Sequence, residues 1–590
     1  MQAFEVETIA GGAKLVRARR ELGAYERRTG DIVRAWARRA PEATFLAERD
    51  ANGSWTRLSY GDLFERVRAT AGGLIARGAS ADAPVGIVAE NGIAHAVVSL
   101  AAQYAGIPVS PISVGYASPA AAPERLRDLL AKLGPALVFA GDARIAERTS
   151  ALASTVTSPH ELAGDAALAD AAAERVEPDA IAKIMFTSGS TGTPKGVVTT
   201  HRMLCSNQAM LAAVWPEIVR ETPLVVDWLP WSHCFGGSHN FGMVLHNGGT
   251  LYVDAGRPAP GAFETTVRNV AEIAPNVFFS VPRGYALLVE RLVADDAFAA
   301  RFFSRVRILC NAGASLPNPL REALFRLAEA HGAPGVRVTS SWGTTETAPL
   351  ATTSWGEPEP DIDTIGTPVP GVALKLVPSD GRSEIRVTGP NITPGYWRDP
   401  AATAAAFDED GFYRTGDAAT LKDPSDASRG IVFGGRLAEN FKLSSGTWVN
   451  VGALRLMLLE RGAPLVEEAV IAGEDRDALA ALIFVSRPHA AALAGEPAAE
   501  YAALARHAAV RARVADVLAA HNAAAPAGST RIERAAIVTE PPNAGDGEIT
   551  DKGTVNQRRA LHLRAATVAA LYADPSGPEV VLPAAEAVGA

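Results

Sequence analysis

Cysteine is scarce: Cys205, Cys234 and Cys310 are the only three in 590 residues, and no two stand close enough to form a CxxC pair. That excludes a disulfide scaffold and any thiolate metal site of ordinary spacing, and it fits a reducing compartment. An excess of positive charge is also missing. The formal charge is -9 and the isoelectric point about 5.8, so the chain offers no basic field for DNA or RNA. No run approaches the roughly 18 uninterrupted apolar residues of a membrane span; the Ala-rich stretches at 117–130 and 515–528 are broken by polar residues. The first ten residues, MQAFEVETIA, lack the basic patch and apolar run of a signal peptide. The expectation is a cytoplasmic protein with no nucleic-acid partner and no membrane partner. Arg17, Arg19 and Arg20 read as a solvated helix face.

What is present is ample apolar material, 48% hydrophobic against 21% charged residues, in a chain too long for one ordinary core. Residues 26–45 read as helix and 55–58 as a short strand. Ser59 is an N-cap candidate with Asp62 three residues on, opening a helix through Leu74. Val85–Ala89, Ile107–Ile112 and Leu137–Phe139 read as buried strands, separated by helices at 92–104 and 123–132. The same rhythm returns at Leu224–Leu229, Thr250–Val253, Val277–Ser280 and Arg307–Leu309. Short apolar strands alternating with helices predict α/β layers with parallel sheet. Near 365 the texture changes. Val372–Val377 and Ser383–Val387 bracket the turn signal Asp380-Gly381 and predict a small antiparallel sheet. Gly430–Phe433 reads as one more strand. Beyond 440 the expected elements are strands 466–471, 479–485 and 534–538 and a long Ala-rich helical region. The expected fold is a large N-terminal α/β domain of layered parallel and mixed sheets with a small antiparallel subdomain, 1–436. A smaller, mobile α+β domain, 437–590, follows it.

The densest chemistry lies at 187–196. The apolar strand Ile184-Met185-Phe186 runs into Thr187, Ser188, Gly189, Ser190, Thr191, Gly192, Thr193, Pro194, Lys195 and Gly196. Glycines let the backbone turn tightly and aim its N–H groups inward. Hydroxyls donate to phosphate oxygens, and Lys195 adds a mobile positive charge. A flexible surface linker seldom contains Pro-Lys-Gly directly after a buried strand. Lys195 is followed by glycine rather than serine or threonine, so this is not the GxxxxGK[ST] loop. A helix at 201–213 is expected shortly after.

With that loop the chain resembles the adenylate-forming superfamily of acyl-CoA synthetases, peptide-synthetase adenylation domains and luciferases. The resemblance runs from about residue 35 to 565 and rests on several motifs in order. It implies that the loop closes over the β- and γ-phosphates of ATP. SSWGTTETAPL, 340–350, is similar to the family's Tyr-Gly-x-Thr-Glu segment, with Trp342 where tyrosine is usual. The resemblance implies an aromatic surface for adenine at Trp342, a phosphate contact at Thr345 and Mg²⁺ at Glu346. A hard oxygen ligand beside triphosphate is chemically sensible, and a capped helix start at Thr344 or Thr345 is compatible with it. GFYRTGDAATL, 411–421, implies that Asp417 holds the ribose hydroxyls, though an isolated Gly-Asp is an ordinary turn. Arg436 would meet ribose and phosphate, Glu439 takes the hinge position, usually Asp or Lys, and Gly446 matches the glycine beside the pantetheine passage.

Most relatives carry Ser-Gly-Lys-x-x-Arg near the end, where the lysine polarises the carboxylate and α-phosphate. This chain has GDGEITDKGTVNQRRAL at 545–561, with Glu548 after Gly547, and the expectation falls on Lys552. LPWSHCFGGSHNFG, 229–242, places His233 at the family's histidine beside the entering carboxylate. Gly236, Gly237 and Gly242 would leave space along one wall, and Phe235, Phe241 and Trp342 would face an aryl ring. Asn240 or His239 would address a ring hydroxyl. WLPWSHCFGGSHNFG, FKLSSGTWV and EITDKGTVNQR resemble the feruloyl-CoA synthase branch most. That implies ATP-dependent, Mg²⁺-assisted activation of an aromatic carboxylic acid, ferulate or a related hydroxycinnamate, with coenzyme A as co-substrate. Another aryl or medium-chain acid, or loading of a separate carrier protein, is the alternative. The resemblance leaves room for a homodimer.

Overall fold

The computed structural model describes residues 4–119, 122–187, 194–259, 261–313, 316–355, 364–379, 382–525, 528–543, 547–549, 555–573 and 577–584. The chain divides into two compact units. The first takes in 1–316, 320–415 and 420–432, and the second 317–319, 416–419 and 433–590.

Two layered sheets dominate the first unit. One has six strands in the order Lys195–Thr200, Ile181–Thr187, Val109–Ile112, Val85–Val88, Leu137–Ala140 and Thr155–Val156. All its neighbours are parallel except the first pair, which is antiparallel. The other has nine strands. Its parallel centre runs Arg337–Trp342, Ile308–Asn311, Val277–Ser280, Leu224–Asp227, Thr250–Val253 and Thr44–Arg49. Val85–Val88, Leu137–Ala140 and Val277–Ser280 are buried at every position, as strands covered on both faces must be. Antiparallel pairs form a third sheet, in which Ala373–Ser379 pairs with Arg382–Thr388 on one side and Lys14–Ala18 on the other. The expected turn at Asp380-Gly381 lies outside the described residues.

The second unit has a four-stranded sheet in the order Val466–Ala472, Leu479–Val485, Ile532–Ile537 and Val580–Val581. Its middle pair is parallel and the outer pairs antiparallel. Leu454, Leu458, Val514 and Leu518 from helices Val451–Gly462 and Ala508–Ala524 join Ile471, Ile483 and Ile532 in one core. A large mixed-sheet domain followed by a smaller α+β domain is the expected fold class.

Several local expectations are corrected. Helix covers only Thr29–Arg39 of 26–45, because Pro41 lacks the N–H to continue it, and Thr44–Arg49 is strand. Arg17 sits on strand Lys14–Ala18, not on a helix; its neighbour Val16 is fully buried, and Arg17 pairs with Glu5. Ser59 does cap the helix Tyr60–Ala76, accepting from the Asp62 amide at 3.1 Å.

Candidate functional site

In the first unit two antiparallel strands, Ile181–Thr187 and Lys195–Thr200, flank the glycine- and hydroxyl-rich sequence 188–193. Thr187 and Lys195 are register partners on antiparallel strands, so the two ends of the loop are fixed side by side. Ser188, Gly189, Ser190, Thr191, Gly192 and Thr193 lie outside the described residues. The strand Lys195–Thr200 stands between the loop and the expected helix, which runs His201–Val214. Its Val197, Val198, Thr199 and Thr200 are β-branched and favour extended chain.

A third segment, Gly395–Trp397, lies along that strand. The Trp397 amide donates to Gly196 O at 2.7 Å and the Val198 amide to Gly395 O at 3.1 Å. This brings Tyr396 to the base of the loop. The Lys195 ammonium lies over the Tyr396 ring, 5.1 Å from its centroid. The Tyr396 hydroxyl donates to Glu346 Oε1 at 3.1 Å and lies 3.3 Å from the Tyr413 hydroxyl. Burial first, and then the Glu346 charge, push both phenols well above their ordinary value, so both remain protonated donors. Glu346 is held from behind as well. The Thr393 amide donates to its carbonyl at 2.8 Å, and buried Asn391 donates to Thr347 O and Leu350 O at 2.8 and 2.9 Å.

A second cluster adjoins the same segment. Trp342, buried, ends the strand Arg337–Trp342, and Thr345 begins a short 3₁₀ turn, Thr345–Thr347. The Thr345 hydroxyl reaches Cys234 Sγ at 3.6 Å, and Cys234 follows His233, whose Nδ1 accepts from the Phe235 amide at 3.1 Å. The turn that carries His233 thus meets the turn that carries Thr345 and Glu346 through Cys234. The glycines do not open a wall. A Cβ on Gly236 would lie 2.4 Å from Leu229 O, one on Gly237 2.2 Å from Trp231 O, and one on Gly242 2.6 Å from Gln208 Nε2. Phe235 is buried against Phe279 and His239, and Asn240 donates to buried Asp227 at 2.8 Å.

Reading the sequence alone misses Tyr396, Tyr413 and Lys183. Tyr413 lies inside the segment singled out for Asp417, and Gly395-Tyr396-Trp397 follows a Pro turn. Lys183 is a charged residue in the otherwise apolar strand AKIMF, which was a legible signal. Its ammonium is buried and donates to Gly237 O at 2.5 Å, and burial lowers it to about 8.

In the second unit Asp417 is 3% exposed, and Arg436 Nε lies 3.6 Å from its Oδ1. The Leu437 amide donates to Gly416 O at 2.8 Å. Gly416 and Gly435 adopt φ of +69° and +80°, which glycine allows without strain. Glu439 ends the turn that follows Arg436. Gly446, at φ +79°, turns the hairpin between Phe441–Lys442 and Trp448–Val449. Lys552 lies outside the described residues, between Ile549 and Val555, which form a β-bridge. Glu548 is buried and engaged elsewhere: Arg564 holds it at 2.5 and 2.9 Å, and its Oε2 accepts from the Asn543 amide at 2.9 Å.

No cluster of three or more His, Cys, Asp or Glu suited to a metal occurs among the described residues. A Mg²⁺ ion fits Glu346 nonetheless, because that ion commonly takes one or two carboxylates and fills its shell with phosphate oxygens and water. Tyr396 and Tyr413 both engage the Glu346 carboxylate, which still leaves lone pairs for the ion.

Comparison with known proteins is consistent with this geometry. Residues 33–397 match the family model described as AMP-binding enzyme, and residues 440–576 match the AMP-binding enzyme C-terminal domain. The 3-[(3aS,4S,7aS)-7a-methyl-1,5-dioxo-octahydro-1H-inden-4-yl]propanoyl:CoA ligase of Rhodococcus jostii is 27% identical over 429 residues, 67% of this chain and 77% of that protein. A long-chain-fatty-acid--CoA ligase of Salmonella typhimurium is 28% identical over 261 residues, 42% of this chain and 44% of that protein. The crystal structure of ATP-bound MatB from Rhodopseudomonas palustris superposes with a TM-score of 0.68 at 21% identity, covering 91% of this chain and 99% of that one. That likeness speaks to the fold.

Proposed function

This chain belongs to the AMP-binding enzyme family, and we propose that it is an ATP-dependent acid–CoA ligase. It joins a carboxylic acid to AMP, releasing pyrophosphate, and then passes the acyl group to the thiol of coenzyme A. The observation that carries the reading is the chain of contacts Lys195–Tyr396–Glu346. It fixes a cation and a carboxylate where two strands flank one glycine- and hydroxyl-rich sequence. Lys195 offsets phosphate charge. Tyr396 orients Glu346, whose free lone pairs would hold Mg²⁺, and Thr345 contributes a hydroxyl from the same turn. Bound there, Mg²⁺ neutralises triphosphate charge and fixes its conformation. His233 donates to or packs beside the entering carboxylate. Asp417 takes the ribose hydroxyls, Arg436 ribose and phosphate, and Trp342 provides the adenine surface. The polarising lysine of the first step is assigned to Lys552.

The relatives span a bicyclic propanoate, long-chain fatty acids and malonate, so they support acid–thiol ligation without selecting one acid; the broad reading kept here is an aryl or medium-chain acid. A hydroxycinnamate such as ferulate is the narrower case, supported by the buried ring of Phe235, whose amide donates to His233 and which packs on Phe279. A CoA-dependent thioester assay across cinnamates, benzoates and fatty acids tests both levels. Thioester with none of them overturns the ligase. Preference for octanoate over ferulate overturns the hydroxycinnamate reading and leaves the broader one standing.

A further inference from the structure

The strand that leads into residues 188–193 carries a buried charge that the proposed chemistry does not use. Lys183 is 5% exposed and lies in Ile181–Thr187, where Ala182, Ile184 and Met185 are buried as well. Its one hydrogen bond among the described residues runs from the ammonium to Gly237 O, at 2.5 Å. Gly237 belongs to the turn Phe235–Asn240, and its own amide donates to His233 O at 2.8 Å. Lys183, Gly237 and His233 are thus joined in series. A second, weaker tie links the same strand and turn: the Ser238 hydroxyl lies 3.7 Å from Met185 Sδ.

The charge has no counter-ion. No carboxylate of the described residues pairs with Lys183; the titratable groups that face it are Cys234, on the turn, and His95, on the helix Ile93–Tyr104. Its register partners on the two flanking strands are Val109 and Thr199, which carry no charge. Burial lowers His95 to about 4, so that ring is neutral and offers no compensation. A buried ammonium without an anion is costly, and burial lowers Lys183 to about 8. An apolar side chain of similar length would fill the place at less cost. Charges kept against stability are found where a site needs them.

We infer that Lys183, as the ammonium, is a positioning residue: its bond to Gly237 fixes the turn that carries His233 against the strand that leads into residues 188–193. A charged donor makes a stronger bond to a carbonyl than a neutral amine does. The inference rests on the proposed acid activation, in which His233 meets the carboxylate and residues 187–196 meet the phosphates. Misplacing such partners by about 1 Å costs up to about 100-fold in rate. The ammonium is the active form, so activity falls as pH rises through about 8. Stability moves the other way. A lysine lowered by folding costs least when neutral, so stability rises from about pH 8 towards the ordinary lysine value near 10.4.

The test is acid-dependent pyrophosphate exchange from pH 7 to 9.5, with whichever of ferulate, benzoate and octanoate gives the most thioester. Coenzyme A is left out, so its thiol adds no titration. The wild type is expected to lose kcat/KM for the acid severalfold across this range, with a midpoint of about pH 8, while its urea midpoint does not fall. K183M is expected to be at least tenfold less active at pH 7 and flat across the range, with a urea midpoint at pH 7 no lower than that of the wild type. A basic limb unchanged in K183M belongs to another group, Cys234 first, and overturns the inference. So does a K183M whose activity matches the wild type, or falls only in step with a lower urea midpoint, as a purely structural lysine requires. The wild-type profile needs no variant: if it has no basic limb, the inference falls while acid activation stands. Exchange with no acid at all overturns the activation reading, and this inference with it.

Discussion

Tyr396 donates its hydroxyl hydrogen to Glu346 at 3.1 Å, so the proposed metal carboxylate is aimed by a residue from a distant segment that also lies under Lys195. A hydrogen bond to a charged group contributes about 1.5–3 kcal/mol. We expect Y396F to fold normally but to need about tenfold more Mg²⁺ for half-maximal pyrophosphate exchange. E346A should abolish exchange or raise the requirement further. An unchanged Mg²⁺ titration in Y396F would remove Tyr396 from this role.

The glycines after Cys234 are there for close packing. G237A would press a methyl against Trp231 O, and overpacking of this kind costs about 1–3 kcal/mol. Urea unfolding should show that loss, with a parallel loss of activity as the turn carrying Phe235 and His239 shifts. A variant as stable as wild type would contradict the packing account.

Asp408 gives the fold a defined response to acid. Burial alone would raise its carboxyl, but Lys375 at 2.6 Å, the Phe412 amide at 2.9 Å and Arg386 at 3.0 Å outweigh it and hold it at about 2. A carboxyl lowered by folding adds stability above the ordinary aspartate value near 4, and that stability is lost as pH falls towards about 2. D408N should therefore be less stable than wild type at pH 7, and the gap in urea midpoint should close between about pH 5 and pH 2. A gap independent of pH would contradict the assignment.

We propose that Lys552 serves the first half-reaction alone. K552A is expected to lose acid-dependent pyrophosphate exchange yet retain much thioester formation from supplied acyl-adenylate and coenzyme A. Equal loss in both would move Lys552 out of the adenylation step.

The sequence made the layered sheets legible because most of their strands are short, predominantly apolar and separated by helices of distinct period. Thr250–Val253 and Val277–Ser280 fall where the apolar runs place them. Elements stabilised by distant partners were not legible. Lys14–Ala18 is half-exposed and becomes strand because it pairs with Ala373–Ser379, far along the chain. Lys195–Thr200 was masked by the loop before it and the helix after it. At the site, Lys195, Thr345 and Glu346 announced themselves through their motifs. Tyr396 did not, because an aromatic after a Pro turn usually packs, and only the bridge between Val197 and Tyr396 brings it to the loop. Gly236 and Gly237 were misread as open space because residue type alone does not say what faces the missing side chain.

The central claim is that this protein makes an acyl-adenylate, and exchange of labelled pyrophosphate into ATP tests it most directly. The account expects exchange that requires both Mg²⁺ and an added carboxylic acid, proceeds without coenzyme A, and disappears in E346A. Folded wild-type protein that shows no acid-dependent exchange across cinnamates, benzoates and fatty acids would contradict it.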